Sequence, residues 1–178
     1  DAYSRLLDVD GASDLTVMNI TSVNVTMVDI VKSTLAENLF TNNTLEDTID
    51  VDTSSNIQLS YSSADTMVVS NTDYLNARFF DLNTTAVLNS VLGEHFRDID
   101  IQDSNKTAYN FTDVDSMNIV YNVLRRNAGG ILLQGDSDGN IIAENWIEDN
   151  GYGLNITSSD SNTIKDNYFD NTENVDDT

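Results

Sequence analysis

A chain of 178 residues is long enough for one domain and too short for two comfortable ones. It carries 30 Asp and Glu against 8 Lys and Arg, a formal net charge of −22, which excludes DNA, RNA and anionic lipid as partners because each needs a basic footprint. No cysteine is present, so disulfide frameworks, thiolate zinc sites and cysteine nucleophiles are excluded, and no run approaches the roughly 18 apolar residues of a membrane helix.

The acid is spread along the whole chain, and seven Tyr, six Phe and one Trp accompany it. A disordered acidic tail lacks such residues, so the charge belongs to a folded surface. Lysine occurs only at Lys32, Lys106 and Lys165. A surface of this kind repels itself in dilute buffer and is screened at molar salt, where the Debye length is about 3 Å. An acidic, lysine-poor folded surface resembles that of proteins from extreme halophiles. The expected setting is extracellular, on the cell surface of a halophilic archaeon or on a virion. The chain opens on Asp1 without an initiator Met, as expected of a processed form or a fragment.

Residues 1–14 read as a lead-in or cap. Asp8-Val9-Asp10-Gly11 opens like a calcium loop, with oxygen ligands at alternate positions before a glycine turn. Asp136-Ser137-Asp138-Gly139 does the same further on. Neither has the terminal Glu of a full loop, and D-x-D-G also arises as ordinary turn sequence. Calcium bound by Asp8, Asp10, Asp136 or Asp138 would therefore be structural. N-x-S/T sequons at Asn19, Asn24, Asn42, Asn83, Asn105, Asn110 and Asn155 point to a glycosylated exterior.

A repeat fills residues 15–171 and is clearest over 96–171. Ile119, Ile142 and Ile164 recur at steps of 23 and 22, and Leu124, Ile147 and Phe169 keep the same spacing. Asn122, Asn145 and Asn167 keep it too, while Gly130 recurs at Gly153. Upstream, Ala36-Glu37-Asn38-Leu39-Phe40 nearly copies Ala143-Glu144-Asn145-Trp146-Ile147. Within each unit the apolar residues alternate, which means short strands with one face in. A unit this small cannot bury its own face and must stack on neighbours. The expected architecture is all-β: a right-handed parallel β-helix of about seven or eight rungs of about 20–23 residues. One stretch departs from alternation. Leu88, Val91, Leu92 and Phe96, within Leu82–Arg97, have the spacing of a helical turn or two. Residues 172–178 read as a polar tail.

The ladder residues have a mechanical reading. Asn tolerates the left-handed backbone of a sharp corner, and stacked Asn122, Asn145 and Asn167 can bond from rung to rung. Gly130 and Gly153 mark a position where φ is positive or no side chain fits.

The unit N-x-x-x-x-N-x-x-G-[IL]-x-[LI], followed by a polar turn and N-x-I, resembles the NosD-type and pectate-lyase-like right-handed β-helix repeat. That resemblance covers residues 96–171 specifically and 15–95 weakly. It implies the fold and leaves activity open, since such repeats occur in surface proteins, carbohydrate-binding modules, polysaccharide lyases and tailspikes. No catalytic residue transfers. The sole histidine, His95, and the basic pair Arg125-Arg126 lie outside the family's catalytic patterns.

Two chemistries remain. The carboxylates Asp98, Asp100 and Asp103, or Glu144, Glu148 and Asp149, suit a glycosidase pair, though acids this numerous meet by chance. Trp146 and Tyr168 share one repeat position and point toward the outside or a corner, and with Tyr152 they suit a glycan or partner surface. The leading expectation is a non-catalytic structural or adhesive module, glycan-binding in one form, working as a homo-oligomer or within an assembly of neighbouring copies or other surface proteins. A polysaccharide lyase or glycoside hydrolase, and a receptor-binding viral tail fibre or spike, are the alternatives.

Overall fold

The structure is a computed structural model that describes residues 2–10, 16–18, 20–28, 38–41, 44–45, 48–55 and 57–177, with side chains from residue 48 onward except at 56, 61 and 177. Its upstream strands are β1 (Ala2–Asp10), β2 (Thr16–Met18), β3 (Ile20–Val28), β4 (Asn38–Thr41), β5 (Thr44–Leu45) and β6 (Thr48–Asp52). One extended run, β7 (Ile57–Gln102), leads to β8 (Thr107–Asp115), β9 (Asn118–Val120), β10 (Val123–Arg125) and β11 (Gly129–Gln134). Then come β12 (Ile141–Ala143), β13 (Trp146–Glu148), β14 (Tyr152–Thr157), β15 (Thr163–Lys165), β16 (Tyr168–Asp170) and β17 (Glu173–Asp177). Every strand pairing among the described residues is parallel. The fold is a parallel β-helix.

From His95 onward each turn of chain supplies three strands, and about four regular turns stack in register, fewer than the seven or eight rungs the spacing predicts. The core's inward columns include Phe96–Ile119–Ile142–Ile164, Ile101–Leu124–Ile147–Phe169 and Tyr109–Ile131–Leu154–Val175. Their inner members are 0% exposed, whereas Ile164 and Val175, with no rung above them, reach 40% and 47%. Burying one such side chain is worth about 1.5–3 kcal/mol. That gain exists only between rungs, which is why the unit needs neighbours. Upstream, β1 lies beside β3, and at the other end β17 lies beside β14.

The corners follow a rule that residue patterns do not display. Non-glycine residues adopt positive φ at Asp98, Asp103, Tyr121, Arg126, Glu144 and Asp149, and the residue after each turns inward and is buried. The left-handed residue is therefore the one before each ladder asparagine, not the asparagine itself. Each such corner costs roughly 1–2 kcal/mol, offset by burial of its successor.

The same rule removes the expected helical turn. No helix occurs among the described residues, and Leu82–Arg97 lies within β7. Ser90 has φ 54° between inward Leu88 and inward Val91. The corner resets alternation and spaces two core residues three apart, as a helix would.

Candidate functional site

The most regular residues are consumed by structure. Asn122 Oδ1 accepts from the Ile99 amide at 3.1 Å, and its Nδ2 donates to Phe96 O at 3.1 Å. Asn145 repeats this one rung on, accepting from Asn122 N at 2.9 Å and donating to Ile119 O at 2.9 Å. Asn167 follows, to Asn145 N at 3.0 Å and Ile142 O at 2.8 Å. Carboxamides also bond along the column, Asn122 Nδ2 to Asn145 Oδ1 at 2.9 Å. A second column, Asn127–Asn150–Asn171, makes equivalent bonds at the next corner, and Asn140–Asn162 makes a third. The second column falls on the second Asn of the repeat unit, and the third on the Asn of its N-x-I segment.

Gly130 and Gly153 do not have positive φ. A Cβ on Gly130 would collide with Gly153 O and sit 2.8 Å from Ile147 Cγ2, and one on Gly153 would sit 2.5 Å from Asn174 O. Of the two expected reasons for glycine, lack of room is the one that applies.

One face with large side chains open to a ligand is the sheet of β10, β13 and β16. Its outward column runs Asp100–Val123–Trp146–Tyr168, and the next runs Gln102–Arg125–Glu148–Asp170. Trp146 and Tyr168 are 48% and 45% exposed, with ring centroids 4.6 Å apart and planes tilted by 35°. Val123 is the short member of its column. It floors a notch of about 290 Å³ walled by Asp100, Arg125 and Trp146. A second notch of about 360 Å³, lined by Asp81, Leu82, Asn83, Asp100, Gln102 and Asp103, adjoins it through Asp100.

Polar contacts tie this face down. Gln102 Nε2 donates to Asp100 Oδ2 at 2.6 Å, and Arg125 donates to Gln102 Oε1 at 2.9 Å and lies 3.8 Å from Glu148. Arg126 grips Asp103 at 2.6 Å, and this hydrogen bond holds the Asp103 carboxyl below its ordinary range. Tyr168 points its hydroxyl at Asp170, whose negative charge pushes the tyrosine pKa up. On the neighbouring corner Arg97 stacks over the Tyr121 ring at 5.3 Å, and the bond from Tyr121 to Glu144 raises the phenol pKa.

The expected carboxylate groupings are divided, with only Asp100 and Asp103 left lining a common notch. Asp98 and Asp103 are corner residues held by Arg97 and Arg126, while Asp100 alone of that trio projects from the strand. Glu144 and Asp149 occupy separate corners, and Glu148 faces Arg125. His95 is an exposed strand residue beside Asn118. Tyr152 does not join Trp146 and Tyr168. Its ring lies over Gly129, on another sheet, and its hydroxyl meets Thr107 Oγ1 at 2.8 Å.

Asp136 and Asp138 sit in a glycine-bounded turn, with φ 69° at Gly135 and 65° at Gly139. Their amides donate to Asp113 and Asp115 at 3.0 and 2.9 Å, and Asp138 Oδ1 accepts from Asp160 N at 2.5 Å. The carboxylates extend an inter-rung ladder. No group of three or more His, Cys, Asp or Glu able to hold a metal ion occurs among the described residues. Asp8 and Asp10 lie in β1, with side chains outside the described residues.

Of the sequons, Asn83 and Asn105 are exposed, and Asn110 and Asn155 are half-buried. The latter two flank Leu132 in one outward column of the sheet of β8, β11 and β14. Asn19 and Asn42 fall outside the described residues, as does the Asn24 side chain.

A parallel β-helix with asparagine ladders and a glycine-spaced strand defines the class. Within it, the family model described as "Periplasmic copper-binding protein (NosD)" matches residues 7–178, and the chain belongs to the NosD family. No curated protein and no solved structure matches it. The family match supports an extracellular or periplasmic β-helix module.

The family's description raises copper. Copper is held by imidazole, thiolate and thioether donors. This chain has no cysteine and one histidine, exposed His95. Met67 and Met117 are 0% and 1% exposed, packed in the core. The described residues do not assemble donors that fit copper.

Proposed function

We propose that the chain is a non-catalytic structural or adhesive module of a cell surface or virion, adapted to high salt. The observation that carries this reading is the exposed Trp146–Tyr168 stack on a strand-built face. Large aromatics held in the open by a rigid sheet suit contact with a partner, since exposed apolar groups in register mark interaction surfaces. The charge of −22 supports the salt adaptation. The sequons on the sheet of β8, β11 and β14 would place glycans away from the aromatic face.

The test is retention on isolated envelopes of high-salt cells, in molar salt, of the native chain and of Trp146→Ala with Tyr168→Ala. Saturable retention lost in the double variant supports the adhesive reading, and equal retention contradicts it. On dilution from molar salt, circular dichroism should show unfolding; an intact fold in dilute buffer counts against salt adaptation. A second reading, hydrolysis or lyase cleavage of a polysaccharide, draws on the notch shared by Asp81, Asp100 and Asp103. Turnover of a polysaccharide by the chain, abolished by Asp100→Asn, would replace the non-catalytic reading with this one.

A further inference from the structure

We infer that the notch over Val123 is a saccharide subsite, taking one ring of an uncharged glycan against Trp146, with Asp100 and Arg125 binding its hydroxyls. This rests on the adhesive reading of the same face and names what that face holds.

Three observations converge on the notch. First, its shape follows from register. Val123 stands between Asp100 and Trp146 on adjacent rungs, and a short side chain between two longer ones leaves a recess. At about 290 Å³ it falls just below the range of drug-sized ligand cavities, about 300 to 1,000 Å³, so it suits no more than a single ring. Second, the wall is aromatic and the floor aliphatic. A sugar ring presents a face of C–H groups that an indole covers, while its rim of hydroxyls points sideways. Tyr168, stacked on Trp146, continues that wall to the next rung.

Third, two of the residues that line the notch each carry a polar atom without a partner. Asp100 Oδ1 and Arg125 Nε are shielded from water and make no hydrogen bond, although Asp100 Oδ2 is held by Gln102. A shielded acceptor and a shielded donor each cost free energy until something bonds to them. A hydroxyl donates to the one and accepts from the other, which neither a carboxylate nor an ammonium does.

Charge selects among glycans. Around the notch stand Asp81, Asp100, Asp103, Glu148 and Asp170 against Arg125 and Arg126, and Arg126 is already engaged by Asp103. A uronic acid or sulfated sugar meets this excess of acid, whereas an uncharged ring does not. Salt weakens that exclusion without touching the stacking and hydroxyl bonds.

Trp146 is the only tryptophan in the chain, so its fluorescence reports on the site directly. The experiment titrates the whole chain, in molar salt, with neutral gluco-, manno- and galacto-oligosaccharides and with an oligogalacturonate. At least one neutral oligosaccharide is expected to give a saturable change, with the oligogalacturonate weaker. Val123→Phe, which fills the notch and leaves every core residue in place, should abolish the change while circular dichroism stays native. Asp100→Asn should weaken the neutral ligand roughly tenfold, the scale of one hydrogen bond to a charged group, and bring the oligogalacturonate closer to it. No response to any neutral oligosaccharide overturns the inference, as does undiminished binding by Val123→Phe or tighter binding of the acidic ligand. If saccharides fail while envelope retention still depends on Trp146 and Tyr168, this inference falls and the adhesive reading stands. Loss of both removes both.

Discussion

Residues 48–94 and residues 95–177 build the same architecture with different corner chemistry. Upstream, the buried polar residues include Ser54, Ser62 and Thr72, and each donates its hydroxyl to the carbonyl two residues back. Downstream they include Asn122, Asn127, Asn140, Asn145 and Asn150, and each side chain bonds to backbone groups 23 and 26 residues away. The hydroxyls of Ser54, Ser62 and Thr72 bond within their own rung, whereas that of buried Thr85, where the two regions meet, reaches Thr107 O and Ala108 O on the next rung. A carboxamide, with donor and acceptor on one plane, clamps two rungs together.

That difference explains the uneven period. Where corners close locally, a rung can lengthen or shorten without stranding a buried polar group. Cross-rung bonds between exposed side chains there span 19 residues from Asn71 to Asp52 and 18 from Asn83 to Asp65. Where carboxamides bridge rungs, a residue more or less would strand a buried donor or acceptor at each corner, and the steps stay close to 23. Regularity is thus a consequence of the ladder.

The largest way to break the contrast is Asn145→Ala. It strips the buried Asn122 amide and the Ile119 carbonyl of the partners that Asn145 supplies, each worth about 1–3 kcal/mol. Chemical denaturation should show a loss of roughly 2–5 kcal/mol. Next comes Gly153→Ala, where the new methyl meets Asn174 O, Asn171 Nδ2 and Phe169 Cδ1 within 2.8 Å. Overpacking of this kind costs about 1–3 kcal/mol, read as a lowered midpoint with an unchanged denaturant slope.

Tyr109→Phe sharpens the comparison from the seam between the regions. Tyr109 stacks on Phe111 at 5.2 Å and meets Phe96 edge-on at 5.0 Å, fully buried, with a hydroxyl that has no partner. Deleting that hydroxyl should raise the stability by about 1 kcal/mol or more. The smallest effect is expected upstream. Thr72→Val keeps shape and removes one local bond of 2.8 Å, worth about 0.5–1.5 kcal/mol. A loss at Thr72 equal to that at Asn145 would mean that the two corner chemistries do not differ as described.

Much of this was legible in the sequence, and the gaps have physical causes. The parallel β-helix and the Asn122–Asn145–Asn167 column were readable because side chains there bond to one another, so chemistry is tied to position. The left-handed corners were not. Tyr121, Glu144, Arg126 and Asp149 share a backbone conformation and no side-chain chemistry, because the requirement falls on φ and on the inward residue that follows. The apparent helix at Leu88–Phe96 was that same corner seen without its φ. On the candidate face, alternation gave Trp146 and Tyr168. Asp100 and Arg125 were hidden, since their meeting with Trp146 depends on inter-rung register.

Residue-resolved amide hydrogen exchange in molar salt tests the ladder account most directly, because it reads each clamped amide separately. The Asn122, Asn127 and Asn145 amides, which donate to carboxamides of the next rung at 2.9 to 3.0 Å, should exchange among the slowest in the chain. They should be slower than the Thr53 and Asp73 corner amides, which bond to backbone carbonyls. In Asn145→Ala the Asn122 amide should lose its protection while Thr53 and Asp73 keep theirs. Equal protection at both sets of corners, or an Asn122 amide unchanged by the substitution, would contradict it.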